Sequence, residues 1–123
     1  MELIGVFNEL KIILQPYQDG LDCNIDTPGE YYLDTKHQMK NKKALFFGAV
    51  KINKNYVSYH LMPVYVRPDL LKPVSVGLMK HMQGKSCFNF KSVDKELFDE
   101  LRILTKSGYD FYQKEGYLKA VQN

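Results

Sequence analysis

Apolar residues recur along the first stretch of the chain at Leu3, Phe7, Leu10, Leu14 and Tyr17, in helical steps of four and three. That stripe predicts an amphipathic helix from about residue 2 to 15, halted near Pro16 and Gly20. The next stretch, "DGLDCNIDTPGE" (19–30), is dense in turn formers and reads as a loop. "YYLDTK" (31–36) alternates weakly and suits a short edge strand, and "HQMKNKK" (37–43) reads as a polar connection.

The centre of the chain predicts a β-hairpin. "ALFFGAVKIN" and "YVSYHLMPVYV" flank a turn at Lys54 and Asn55, and asparagine tolerates the left-handed backbone of a tight turn. A two-residue loop sets Asn53 against Tyr56, Ile52 against Val57, Val50 against Tyr59 and Gly48 against Leu61. Phe46, Gly48, Val50, Ile52, Val57, Tyr59 and Leu61 then share a core face, where Gly48 leaves room for a helix. The other face carries Lys51 against Ser58, Ala49 against His60 and Phe47 against Met62. A one-residue slip buries His60 and exposes Val57, Tyr59 and Leu61. Burying an unpaired imidazole costs roughly 1–3 kcal/mol, and each apolar side chain fully exposed adds roughly 1.5–3 kcal/mol. The register is therefore well determined, with His60 pointing away from the core.

"RPDLLKPVSVGLMKHMQGK" (67–85) contains Pro68 and Pro73, a candidate N-cap in Ser75 and a stop in Gly84, and predicts two short helical turns crossing the sheet. "SCFNF" (86–90) alternates as a strand, Phe88 and Phe90 on one face and Cys87 and Asn89 on the other. A long helix follows over about 94–115, capped by Ser92 or Asp94, with Leu97, Leu101, Leu104 and Phe111 marking its buried side and Gly108 a bend or a close contact. This order is that of a single α+β domain (1–123): an antiparallel sheet of four to five strands with the N- and C-terminal helices packed on one face. The other face is left open, and it holds His60.

Charge is segregated along the chain. Residues 1–34 hold seven acids against Lys11 alone (net −6), residues 35–91 eleven bases against Asp69 alone (net +10), and residues 92–123 six acids against five bases (net −1). Such asymmetry marks either an anion-binding surface or acidic and basic segments that neighbour one another in the fold. The basic midsection is interleaved with Phe47, Tyr56, Tyr59 and Tyr65, as a single-strand nucleic-acid platform would be. Two arginines and the lack of an RNP-type motif weigh against nucleic acid as partner. The longest apolar run, Ala44 to Val50, is too short to span a bilayer, and the acidic N-terminal stretch is unlike a signal peptide. Cys23 and Cys87, without an export signal, read as reduced thiols in a cytosolic protein.

No phosphate-loop, dinucleotide-binding, zinc-protease or nucleophile-elbow motif is present; "QGKS" (83–86) lacks the first glycine of a phosphate loop and precedes a strand. The candidate ligand-binding set is His60, Ser58, Lys51, Lys85, Cys87 and Asn89, all assigned to the open face by alternation, with Tyr65 nearby. His37, His60 and His81 share no metal-ligand spacing, and Asp19, Asp22, Asp26 and Glu30 do not match a calcium loop. The set suits a binding protein for an unidentified small ligand. Two alternatives stand beside it: a small enzyme using His60 or Cys87 in a pocket under residues 67–85, and a homodimeric rather than monomeric module burying Phe47 and Met62.

Taken in order, "LQPY", "DTPGEYYLDT", "KALFFGAVKINKNYVSYHLMPVY", "MQGKSCFNF" and "LFDELRILTKSGYDFY" resemble the YdhG-like family, a bacterial domain of unknown function. The resemblance covers nearly the whole chain. It implies a compact α+β domain; some relatives have a frataxin-like architecture and are proposed iron chaperones. Iron handling in that architecture uses acidic surface on the first helix and edge strand, whereas the first helix here offers only Glu2 and Glu9. The resemblance transfers no catalytic motif onto these positions and leaves the cofactor unknown.

Overall fold

The computed structural model describes residues 3–118. Helix α1 (Leu3–Leu14) buries Val6, Phe7, Leu10, Ile13 and Leu14, and Pro16 converts its continuation into a 3-10 turn over Gln15–Gly20. Strands β1 (Asp22–Thr27), β2 (Glu30–Gln38), β3 (Ala44–Ile52), β4 (Val57–Leu61), β5 (Met82–Gln83) and β6 (Cys87–Phe90) form one antiparallel sheet in the order β1-β2-β3-β4-β6-β5. Helix α4 (Lys95–Lys114) begins at Asp94, whose carboxylate accepts from the Leu97 amide at 3.1 Å. The fold is thus α+β with an antiparallel sheet of six strands, one more than the upper count of the four to five expected.

Both terminal helices lie on the face that carries Tyr59 and Gly48. Tyr59 and Thr105 of α4 share a hydroxyl–hydroxyl hydrogen bond of 2.5 Å, with both residues fully buried. A Cβ added to Gly48 would stand 3.1 Å from Leu14 of α1, so the missing side chain sets the distance of helix to sheet. Gly108 likewise lets α4 come close to Pro63, just beyond β4, which a Cβ would meet at 2.8 Å.

The hairpin register is the one the binary pattern demands: Ile52 opposite Val57, Lys51 opposite Ser58, Val50 opposite Tyr59, Ala49 opposite His60 and Gly48 opposite Leu61, with the Asn53 amide donating to Tyr56 at 2.8 Å. Beyond Gly48 the alternation fails. Leu33 pairs with Gly48 but Asp34 with Phe46, so Phe47 is an extra residue, a β-bulge in β3. The bulge turns Phe47 into the core, against Tyr17, Tyr109 and Tyr112, and turns Phe46 out to the open face. The simple alternation had assigned these two residues the other way round. The carbonyls that the irregularity frees are satisfied from the side: Tyr112 donates to the Phe46 oxygen at 2.9 Å, and buried Thr35 donates to the Leu45 oxygen at 2.8 Å.

Four further expectations are corrected. Residues 22–27 are a strand, because Cys23 and Ile25 alternate with polar neighbours and need only one half-buried face; β2 is therefore interior, not an edge. Strand β4 ends at Leu61, because Pro63 starts helix α2 (Met62–Val66), so Met62 has no partner across from Phe47. Gly84, at φ +76°, makes the β5–β6 turn and does not stop a helix. The buried side of α4 is Phe98, Leu101, Leu104, Thr105, Gly108 and Tyr112, with Leu97 and Phe111 only partly covered.

Residues 67–85 form a 3-10 turn (Pro68–Leu71) and helix α3 (Val76–Met79), capped by the Ser75 hydroxyl as expected. Glu100 of α4 accepts from the Ser75 amide at 2.9 Å and from its hydroxyl at 2.6 Å, while Leu78 is fully buried. Apolar Leu70, Leu71, Val74 and Leu78 carry this segment to the helical side of the sheet, away from His60.

Candidate functional site

Ser58 and His60 on β4 lie directly opposite Asn89 and Cys87 on β6, so four of the six candidate residues meet in one block on the open face. Lys51 flanks Ser58 from β3, exposed, and faces Glu30 across the next strand pair. Lys85 departs from the set. It sits in the β5–β6 turn with its ammonium 5.9 Å from the centre of the Tyr65 ring of α2. The residue that this turn delivers to the site is Ser86, buried, whose hydroxyl lies 2.7 Å from His60 Nε2.

The open face is less polar than alternation implied. Phe46, turned outward by the bulge, packs edge-on to His60 with centroids 5.0 Å apart, and stacks on Tyr32 at 4.6 Å. Asp34 continues the same row of β2, partly buried, and accepts from the Asn24 side chain at 2.7 Å. Phe46, Tyr32, Asp34 and Ser86 were all missed from the sequence. Tyr32 and Asp34 carried a signal, the alternation of "YYLDTK", but they were placed on an edge. Phe46 and Ser86 depend on a bulge and a turn that the pattern does not display.

Electrostatics follow from this half-buried setting. Desolvation holds the His60 imidazole below its ordinary pKa, so it is neutral at pH 7. Burial pushes the Cys87 thiol up, and a hydrogen bond with Ser58 only partly offsets this. Cys87 is therefore a protonated, weakly nucleophilic thiol. Burial likewise raises the Asp34 carboxyl, partly offset by the Asn24 hydrogen bond. Cys23 and Cys87 are both free.

The surface around the block is shallow. A concavity of about 360 Å³, lined by Tyr56, His81, Asn89, Lys91 and Ser92, touches it at Asn89. A groove between residues 67–85 and α4, lined by Leu70, Pro73, Val74 and Ile103 among others, has no His60 or Cys87 in its wall. Neither residue lines that groove, because Leu70, Leu71, Val74 and Leu78 pack the 70–78 stretch against the core on the helical side of the sheet. Phe47 is fully buried and so cannot pair with Met62 in a dimer contact.

Acidic and basic segments do neighbour one another at the β1 end. Asp22 of the acidic stretch pairs with Lys36 of the basic one, and Asp26 pairs with Lys11 within the acidic stretch at 2.7 Å, which commits two of the four loop carboxylates. Among the described residues no group of three or more His, Cys, Asp or Glu side chains is placed to hold a metal ion, and no helix is long and apolar enough to cross a membrane. No protein-family model, curated protein or solved structure matches this chain.

Proposed function

We propose that this protein is a non-enzymatic binding protein that takes a small ligand on the open face of its sheet, over Phe46, His60, Ser58 and Asn89. The observation that carries the reading is His60 itself. Its ring is held in place by Phe46 on one side and by the Ser86 hydroxyl on its Nε2, on a shallow face rather than in a closed cleft. A neutral imidazole fixed in this way, beside a half-buried aromatic stack, offers a ligand both hydrogen-bonding and apolar contact at little entropic cost. Membership of the YdhG-like family belongs to the same proposal, as does a cytosolic setting suited to two free thiols.

The iron-handling version is the weaker form, because the described residues supply no donor set for a metal. An enzyme built on Cys87 is disfavoured by the raised thiol pKa. One built on His60 and Ser86 would need its hydroxyl accessible, and Ser86 is only 7% exposed.

Native mass spectrometry of untagged protein from its own host tests the reading. A reproducible bound mass that disappears in His60→Ala is the expected result. A copurifying ligand retained unchanged by His60→Ala would remove His60 from the site.

A further inference from the structure

We infer that the concavity formed by Tyr56, His81, Asn89, Lys91 and Ser92 is a second binding site, made for a phosphate monoester bearing a small ring. It rests on observations separate from the open-face reading and shares only Asn89 with it.

The key residue is His81. Its Nδ1 lies 2.8 Å from the carbonyl oxygen of Asn89, and a carbonyl only accepts, so Nδ1 carries the hydrogen. The ring is also clamped flat on Phe90, at 4.5 Å between centroids and 19° between planes. Nε2 is then left with its lone pair for a ligand, on a ring with fixed tautomer and fixed plane, and it accepts the P–OH hydrogen of a phosphate monoester in its singly charged form. Around it the lining supplies the Lys91 ammonium, the hydroxyls of Tyr56 and Ser92 and the Asn89 amide, with no carboxylate among the five residues.

Charge argues for an anion. The ion pairs of the described residues engage Lys11, Lys36, Lys72, Arg102 and Lys106 and leave Lys91 uncommitted. An ammonium, two hydroxyls and an amide among the lining residues match the several acceptor oxygens of a phosphate. The volume, about 360 Å³, exceeds what the phosphate alone requires, and the Tyr56 ring offers apolar surface for the rest of the molecule.

Phenyl phosphate, inorganic phosphate and uncharged benzyl alcohol are the probes, titrated into isotope-labelled protein and followed by amide and imidazole NMR shifts. Phenyl phosphate should give saturable shifts at His81, Asn89, Lys91 and Ser92, and benzyl alcohol none there. Lys91→Ala, at an exposed position that leaves the fold intact, should weaken phenyl phosphate about tenfold, the loss of one charge-assisted contact. His60→Ala should leave its affinity within about twofold. Shifts spread evenly over the lysines of the sheet, or equal affinity in Lys91→Ala, would overturn the proposal. So would a loss confined to His60→Ala, which would move the anion onto the open face.

Discussion

Tyr112 near the end of α4 donates its phenolic hydrogen to the carbonyl oxygen of Phe46 at 2.9 Å, and thereby anchors the last helix to the bulge in β3. The bond crosses from the core side of the sheet to the residue that flanks His60. Tyr112→Phe should therefore lower stability by about 0.5–1.5 kcal/mol, the net worth of one such bond, in chemical denaturation. It should also shift the NMR signals of Phe46 and His60, although α4 begins at Lys95, 35 residues after His60 in sequence. A stability loss with those signals unmoved would mean that the bulge holds itself.

The Tyr59–Thr105 pair predicts non-additivity. Tyr59→Phe or Thr105→Val alone leaves one buried hydroxyl without its partner and should cost about 1–3 kcal/mol. The double variant removes both and should be less destabilised than the sum of the two, which a double-mutant cycle in urea measures directly.

Two glycines should respond to alanine in opposite directions. At Gly108 the new methyl would press on Pro63 at 2.8 Å, and the overpacking, typically 1–3 kcal/mol, should outweigh the helix-propensity gain of about 1 kcal/mol. At Gly77 in α3 the nearest atom stands at 3.5 Å, an ordinary contact, so Gly77→Ala should be neutral or stabilising. Thermal midpoints of the two variants decide it.

His60 predicts a pH dependence of stability. Its folded pKa lies below the unfolded value of 6.5, so the unfolded chain takes up a proton first as pH falls. Stability should consequently drop as pH falls through the region below 6.5 and level off once the folded protein is protonated too. His60→Gln should lack this component. Thermal midpoints of both proteins at pH 7.5 and 5.5 provide the check, and an equal change in both would assign the effect to other groups.

What the sequence disclosed depended on whether one residue's environment decided its role. The α1 stripe and the β3–β4 register were legible because a slip of one position would have inverted a whole face, and that placed Ser58, His60, Cys87 and Asn89 together. The bulge was hidden inside "LFFGAV", where every residue is apolar and nothing marks Phe47 as the extra one. Strand β1 was hidden because Asp22, Asn24 and Asp26 carry turn-forming chemistry, and only pairing with β2 overrides it. Ser86 and His81 reached their places through a turn and a sheet edge, neither of which has a period to read.

The two outermost strands bear on how this protein behaves when crowded. A sheet with free margins is open to lengthening by a neighbour's backbone, the route to fibrils and precipitates. Here one margin, β1, carries Asp22, Asn24 and Asp26 and has an irregularity between Cys23 and Ile25, while the other, β5, is two residues long. Neither offers a flat, apolar ladder for docking. Purified at high concentration, the protein is expected to resist cross-β assembly, and neutralising substitutions such as Asp22→Val with Asp26→Val should be what releases it.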